Sequence, residues 1–467
     1  MPLMRALITS ILLFHFLLCP FVSEARQSKQ AVVAQNTLAG KVFDEFLNAY
    51  NSGDVNLMRR FFLDHDPNVE QGKRERSAQL RASWLVNVYR DYGKLNLRSI
   101  ERSTEYEMTA LCQAEITEGW SRVPFKLAAE SPHALVTVGF MNARRPADAF
   151  PRGRKLSASE IVRRLNLYMG KVVSADKFAG VVLVAKNGRA IFKKAYGLSD
   201  KLARTPNRVE TKFNLASMNK MFTSLAIAQL AEQGKLSYSD PIRKFLPDFP
   251  NKSAAEKITI HHLLTHTSGL ADYFDKEEYQ AAKKAAGGKL KSYKDVLPFF
   301  AGDPLLFEPG EKWDYSNAGF NVLGVILEKV SGQSYYDYVK EHILKPSGMN
   351  NTIPEEGSPA GGALSTVEDL LKFERAFRKN KLLGKRYTEI ILTPRVNTAW
   401  GTKYAYGFGS DKINGKRIVG HGGDSVGIST EFDIYLDQGY TVIVLSNYDS
   451  PAAANISGKI RELIIQE

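Results

Sequence analysis

Cysteine is almost absent. The 467 residues hold two, Cys19 and Cys112. Cys19 lies in the apolar run "ALITSILLFHFLLCPFV", which follows Arg5 and precedes "SEARQ". A charged start, a short apolar core and the small residues Ser23 and Ala25 predict a secretory signal peptide over residues 1–25. The run is shorter than the ~20 apolar residues a membrane-spanning helix needs, so cleavage is preferred to retention as an anchor. Leu18 stands where a lipid-attachment signal wants a small residue. Cleavage leaves Cys112 alone, which excludes an intrachain disulfide. An exported chain, periplasmic or extracellular, must then be held together by its cores. Cys112 sits in an alternating segment and reads as a buried structural thiol.

Two further features are missing. The net charge is +13, but no basic run is dense and no zinc or RNA motif occurs, so nucleic acid is not an expected partner. The excess charge reads as a solvated basic surface, which could draw an exported chain to anionic envelope surfaces. The pair His262 and His266 in "HHLLTH" is four apart, yet it lacks the glutamate of a His-Glu-x-x-His metal site. Helix-end packing and hydrogen bonding are expected of it. Neither a metal nor an organic cofactor is implied.

What is present suits a multidomain globular protein, with 44% apolar and 24% charged residues. "TLAGKVFDEFLNAYNSGDVNLMRRFFLDH" predicts two helices. Val42, Phe43, Phe46, Leu47 and Tyr50 fall on one face of the first, and Asp54 caps the second. A third helix is expected over Glu75 to Tyr92. The segments "KLNLRSI", "MTALCQAEI", "RVPFKLAAE" and "ALVTVGFM" then alternate as half-buried antiparallel strands do. Residues 37–144 therefore form a small α+β domain, and the order of its elements resembles the NTF2-like domains. Residues 145–158 read as a Pro/Arg/Ser-rich linker. In residues 159–467 a helix leads to two apolar strands around Asn187-Gly188, a hairpin signal. A helix-rich middle follows, then the strands "KRIVGHGG", "GISTEFDIYL" and "YTVIVLSN", and a final amphipathic helix. The fold class is α/β, an antiparallel sheet built from both ends of the domain with a helical subdomain inserted.

Three segments carry the chemistry. In "FNLASMNKMFTSLAIAQLAEQGKL", Ser217 and Lys220 are three apart at a helix start, where residues three apart share a face. Free N–H groups and the helix dipole there stabilise an oxyanion. A desolvated lysine can lose its proton and act as a base. Ser174 and Lys177 in "SADK" share the spacing, but Ser174 is read as leading into a strand, where the two would diverge. In "PGEKWDYSNAGF", Tyr315 and Asn317 lie two apart in an extended stretch and can face one cleft. A tyrosine beside cations can have its pKa lowered enough to trade protons with a serine. An asparagine amide can hold a substrate amide. In "IVGHGGDSVGISTEF", His421 ends an apolar strand, and Gly422 and Gly423 leave room for a substrate backbone. A main-chain N–H just after them could complete an oxyanion hole with that of Ser217. "GDSVG", Gly423 to Gly427, spells the α/β-hydrolase elbow, but a strand and no histidine follow it.

Ser217-x-x-Lys220, Tyr315-x-Asn317 and His421-Gly422-Gly423, in that order and with "LLTHTSGL", resemble the class C β-lactamase and penicillin-recognising serine hydrolase family. The resemblance covers Ser159 to the C-terminus. It implies that Ser217 is acylated and that Lys220 and Tyr315 share acid/base work. Asn317 would orient the substrate, His421 would take the third motif's first position, and Asp424 would supply the second oxyanion N–H. Many β-lactamases of the superfamily have Lys-Thr-Gly where this chain has His-Gly-Gly. A histidine is largely neutral near pH 7 and grips a carboxylate poorly. Esterases and peptidases of the family have histidine in this place, so the resemblance implies hydrolysis of an ester or an amide, of the esterase or D-amino-acid/DD-peptidase type, with a small-molecule or peptide substrate. A class C type β-lactamase and a non-catalytic envelope binding protein on the same fold are the alternatives.

Overall fold

The computed structural model describes residues 36–65, 71–143, 145, 146, 149, 155–288, 290 and 292–465. The expected signal segment and half of the expected linker lie outside these residues. The chain divides into two compact units, Met1–Arg144 and Arg145–Glu467.

In the first unit, helices α1 (Leu38–Asn51), α2 (Val55–His65) and α3 (Gln71–Tyr92) precede strands β1 (Leu95–Ser103), β2 (Glu107–Ala114), β3 (Trp120–Leu127), β4 (Leu135–Val138) and β5 (Met141–Ala143). Thr37 caps α1 by accepting the Gly40 N–H at 3.1 Å, and Asp54 caps α2 by accepting that of Asn56 at 2.7 Å. The sheet order is β1-β2-β3-β4, with β5 also on β3. Val42, Phe43, Phe46 and Tyr50 turn inward from α1, and Phe125 of β3 meets Phe43 edge-on at 5.5 Å. Cys112 is fully buried and its thiol is pushed up to about 12, so it is an inert core group.

In the second unit, Ser157 opens α4 (Ala158–Ser174) with a capping box. Strands β6 (Gly180–Lys186) and β7 (Arg189–Tyr196) follow as a hairpin. Asn187 and Gly188 both take positive φ, 51° and 71°, as a two-residue turn matched to the strand twist requires. Helices α5 (Lys220–Glu232) and α6 (Asn317–Ser331) belong to the insertion. The chain then returns as β8 (Val396–Asn397), β9 (Lys403–Tyr404), β10 (Gly409–Ile413), β11 (Lys416–Ser425), β12 (Ile428–Tyr435) and β13 (Tyr440–Ser446), before helix α7 (Ala452–Ile465). The antiparallel sheet runs β8-β9-β10-β11-β12-β13-β6-β7, so the last strand pairs with the first, Val442 opposite Val184. β6 and β13 are buried on both faces, which explains their unbroken apolar runs.

α5 is buried from Lys220 to Ala231. A helix apolar all round belongs inside a domain, and this one forms the centre of the core. α7 departs from the simple amphipathic reading. Its Arg461 is buried and donates to Asp433 Oδ2 at 2.8 Å, which also accepts from Ser457 Oγ at 2.6 Å.

Candidate active site

Ser217 does not open the α-helix itself. It lies in a 3-10 turn, Ala216–Asn219, and Lys220 is the first residue of α5. Ala216 is held at φ +44°, a strained conformation for a side chain, so the turn is braced from outside. Phe213 and Asn214 pair with Ser365 and Leu364, the Leu215 N–H donates to Ala363 O at 2.8 Å, and the Gly362 N–H donates to Ala216 O at 3.0 Å. From the other side β11 closes in. A β-carbon at Gly423 would fall 2.5 Å from Leu215 O and 2.8 Å from Ser217 N, so only glycine permits this approach. Thr430 Oγ1 ties the two segments together, lying 3.2 Å from Leu215 O and 3.1 Å from Gly423 O.

Lys220 is 0% exposed, and its Nζ lies 3.1 Å from Ser217 Oγ, 2.7 Å from Asn317 Oδ1 and 2.6 Å from Ala360 O. Burial pulls its pKa down to about 7, against an opposing effect of Asp272. A neutral amine has two N–H donors and one lone pair. With Asn317 and Ala360 taking the donors, the lone pair is left for the Ser217 hydroxyl. Asp272 fixes the Asn317 amide: its Oδ2 accepts from Asn317 Nδ2 at 3.0 Å and from the Asn317 N–H at 3.1 Å. That orientation turns Asn317 Oδ1 towards Lys220.

The Tyr315 hydroxyl hydrogen-bonds the Ser217 side chain, and Lys220 Nζ lies 4.8 Å from the Tyr315 ring centre. One expectation is corrected here. Proximity to a cation was expected to lower the tyrosine's pKa, but desolvation dominates and raises it. Tyr315 therefore stays a neutral phenol, able to relay a proton but not to start as the base.

His266 braces this tyrosine. Its ring packs 4.2 Å from that of Tyr315, its carbonyl accepts the Asp314 N–H at 2.9 Å, and its Nδ1 accepts the Ser316 N–H at 3.1 Å. Burial, with the Lys220 charge beside it, holds its pKa well down, so the ring is neutral. His262 serves elsewhere, closing a capping box with Thr259.

His421 does not end its strand, as the sequence suggested; β11 continues to Ser425. β10 pairs with β11 only as far as Gly420, so from His421 onward β12 is, among the described residues, the one strand paired with β11. His421 Nδ1 lies 2.5 Å from Gly422 O and Nε2 lies 2.9 Å from the Tyr404 hydroxyl. The first contact requires Nδ1–H, so Nε2 accepts from Tyr404 and neither nitrogen offers a proton outward. Burial brings its pKa down to about 3, and the imidazole is neutral across the working range. Asp424 is exposed and pairs with Ser429 in the ladder. The second Ser-x-x-Lys is set aside on different ground from that expected: Ser174 is the last residue of helix α4, and Lys177 lies in the turn after it.

Thus Ser217, Lys220, Tyr315 and Asn317 form one hydrogen-bonded group, with Gly423 against the Ser217 amide and His421 across the cleft. Sequence reasoning missed Asp272, Ala360, Tyr404 and the bracing role of His266. The glycine pair Gly361-Gly362 beside Ala360 was the one available signal, being a doublet like Gly422-Gly423.

Known proteins share this arrangement's chain. The profile of the family described as Beta-lactamase matches residues 169–466. Penicillin-binding protein 4* of Bacillus subtilis is 32% identical over 318 residues, covering 58% of this chain and 68% of that protein. Esterase EstB of Burkholderia gladioli is 33% identical over 210 residues, covering 43% of this chain and 53% of that protein. The solved penicillin binding protein from Bacillus halodurans superposes with a TM-score of 0.55 at 31% identity, covering 66% of this chain and 100% of its own. The family match spans more than half of the chain and falls on the unit that holds Ser217, Lys220 and Tyr315: the chain belongs to the beta-lactamase family of serine hydrolases.

Proposed function

We propose that the protein hydrolyses an ester or an amide through an acyl-enzyme on Ser217. Lys220 takes the Ser217 proton as Oγ attacks the carbonyl. The neutral Tyr315 phenol relays a proton to the leaving group as the carbonyl–heteroatom bond breaks. Water then attacks the ester at Ser217, and Ser217 regains a proton. Asn317 orients the substrate, and the main-chain N–H groups of Ser217 and Asp424 hold the oxyanion. One observation carries this reading: a fully buried lysine with two acceptors fixed on it, its remaining position facing the serine. The neutral His421, both nitrogens engaged, supports an ester or amide over a carboxylate-bearing β-lactam.

The expected signal segment supports export, and the helix-then-strand order of residues 38–143 supports the NTF2-like reading of the first unit. A fluorophosphonate probe tests the central claim. The protein should be labelled, and Ser217→Ala should abolish labelling. Labelling that survives the change removes Ser217 from the mechanism. Rapid turnover of a chromogenic cephalosporin without esterase activity would overturn the preference for esters and amides.

A further inference from the structure

The stretch that supplies Tyr315 also supplies Trp313. Ser316 is extended and caps α6, which Asn317 opens. The Trp313 ring lies 6.2 Å from that of Tyr315, while the Asp314 and Ser316 amides are held by His266. Trp400, in the loop between β8 and β9, closes over this row. Its ring lies 4.7 Å from Trp313, edge-on at 74°, and 5.7 Å from Tyr315. Yet Trp400 remains 59% exposed. An indole packed on two aromatic neighbours with most of its surface in water is a large apolar face awaiting a partner.

His421 is neutral with both nitrogens engaged, and its partner Tyr404 is a buried phenol with its pKa raised. Lys220 is spent on Ser217, Asn317 and Ala360. Asp424 is exposed at the neighbouring end of β11. A neutral ring there would meet two indoles and a phenol, and His421 offers a carboxylate no charge.

We propose that Trp313, Tyr315 and Trp400 form a leaving-group subsite for an uncharged aromatic group, so that benzyl-type esters or amides are favoured substrates. This rests on the serine hydrolase reading above, in which Tyr315 hands its proton to the leaving group. The atoms flanking the Tyr315 ring are then those the leaving group meets. Stacking on Trp400 holds that group beside the phenol, which places the benefit in the transition state as well as in binding.

The test compares benzyl acetate with ethyl acetate by proton release, since the two alcohols ionise similarly and differ mainly in the ring. The native protein should prefer benzyl acetate in kcat/KM by roughly tenfold to a hundredfold. Trp400→Ala should lower kcat/KM for the benzyl ester at least about tenfold more than for the ethyl ester. Trp400→Phe should restore most of the preference. The acetyl ester of 4-(hydroxymethyl)benzoate, which adds a carboxylate to the ring, should lose the advantage. An unchanged benzyl-to-ethyl ratio in Trp400→Ala, or an equal fall for both esters, overturns the subsite. Ser217→Ala run alongside separates the two claims: turnover that persists in it defeats the mechanism, whereas turnover lost there with an unchanged Trp400→Ala ratio defeats only the subsite.

Discussion

Asp272→Asn is the most informative single change, because it alters the proton affinity of Lys220 without touching lysine, serine or tyrosine. The carboxylate reaches the ammonium through one amide. Asp272 Oδ2 accepts from Asn317 Nδ2 at 3.0 Å, and Asn317 Oδ1 accepts from Lys220 Nζ at 2.7 Å. Those links set the charges roughly 7 Å apart, where an effective dielectric of ~20 gives an attraction of about 2 kcal/mol. That is about 1.5 pKa units of preference for the ammonium. The sign follows directly: removing the negative charge makes the protonated amine less favourable, so its pKa falls. The other titratable groups facing Lys220 are Tyr315, His266 and His421; burial keeps all three neutral near pH 7, so none masks the effect. The assay is the pH dependence of kcat/KM for a neutral ester. In the native protein the rate should rise with pH along a limb centred on the lysine's value of about 7. In Asp272→Asn that limb should move about 1.5 units to lower pH. The plateau should also fall, since Asn317 loses its strongest acceptor. A limb that stays in place, or moves to higher pH, would refute the assignment of Lys220 as the base.

Two other changes probe the surroundings. Gly423→Ala places a methyl group 2.5 Å from Leu215 O and 2.8 Å from Ser217 N, so β11 must retreat from the serine. The expected cost is about 1–3 kcal/mol of stability and a hundredfold or greater loss in kcat/KM, checked by denaturant unfolding and ester turnover; native turnover would show that the close approach is dispensable. Arg461→Met removes the guanidinium that donates to buried Asp433, retaining the Ser457 hydroxyl. Urea unfolding should show a loss of about 3–5 kcal/mol, and a loss below about 1 kcal/mol would mean that solvent reaches the carboxylate.

What the sequence by itself determined is local. The Asn187-Gly188 hairpin could be read because positive φ is a property of those two residues. The Thr37 and Asp54 caps could be read because a side chain three or fewer residues away satisfies the helix N–H groups. The Ser217–Lys220 and Tyr315–Asn317 spacings singled out the residues, although Asn317 opens α6 and is not in the extended stretch expected for it. They identified the four groups that meet. Tertiary structure decided the rest. Asp272 is 45 residues from Asn317 in the chain, and Ala360 is 140 from Lys220, so no periodicity announces either. The same holds for Tyr404 and His421, and for Trp400 and Tyr315, which meet only because β8, β9 and β11 share a sheet end with the cleft. Proton affinities are the clearest case. A lysine near neutrality and a tyrosine that keeps its proton depend on which side chains exclude water, and that is settled only when distant segments pack together.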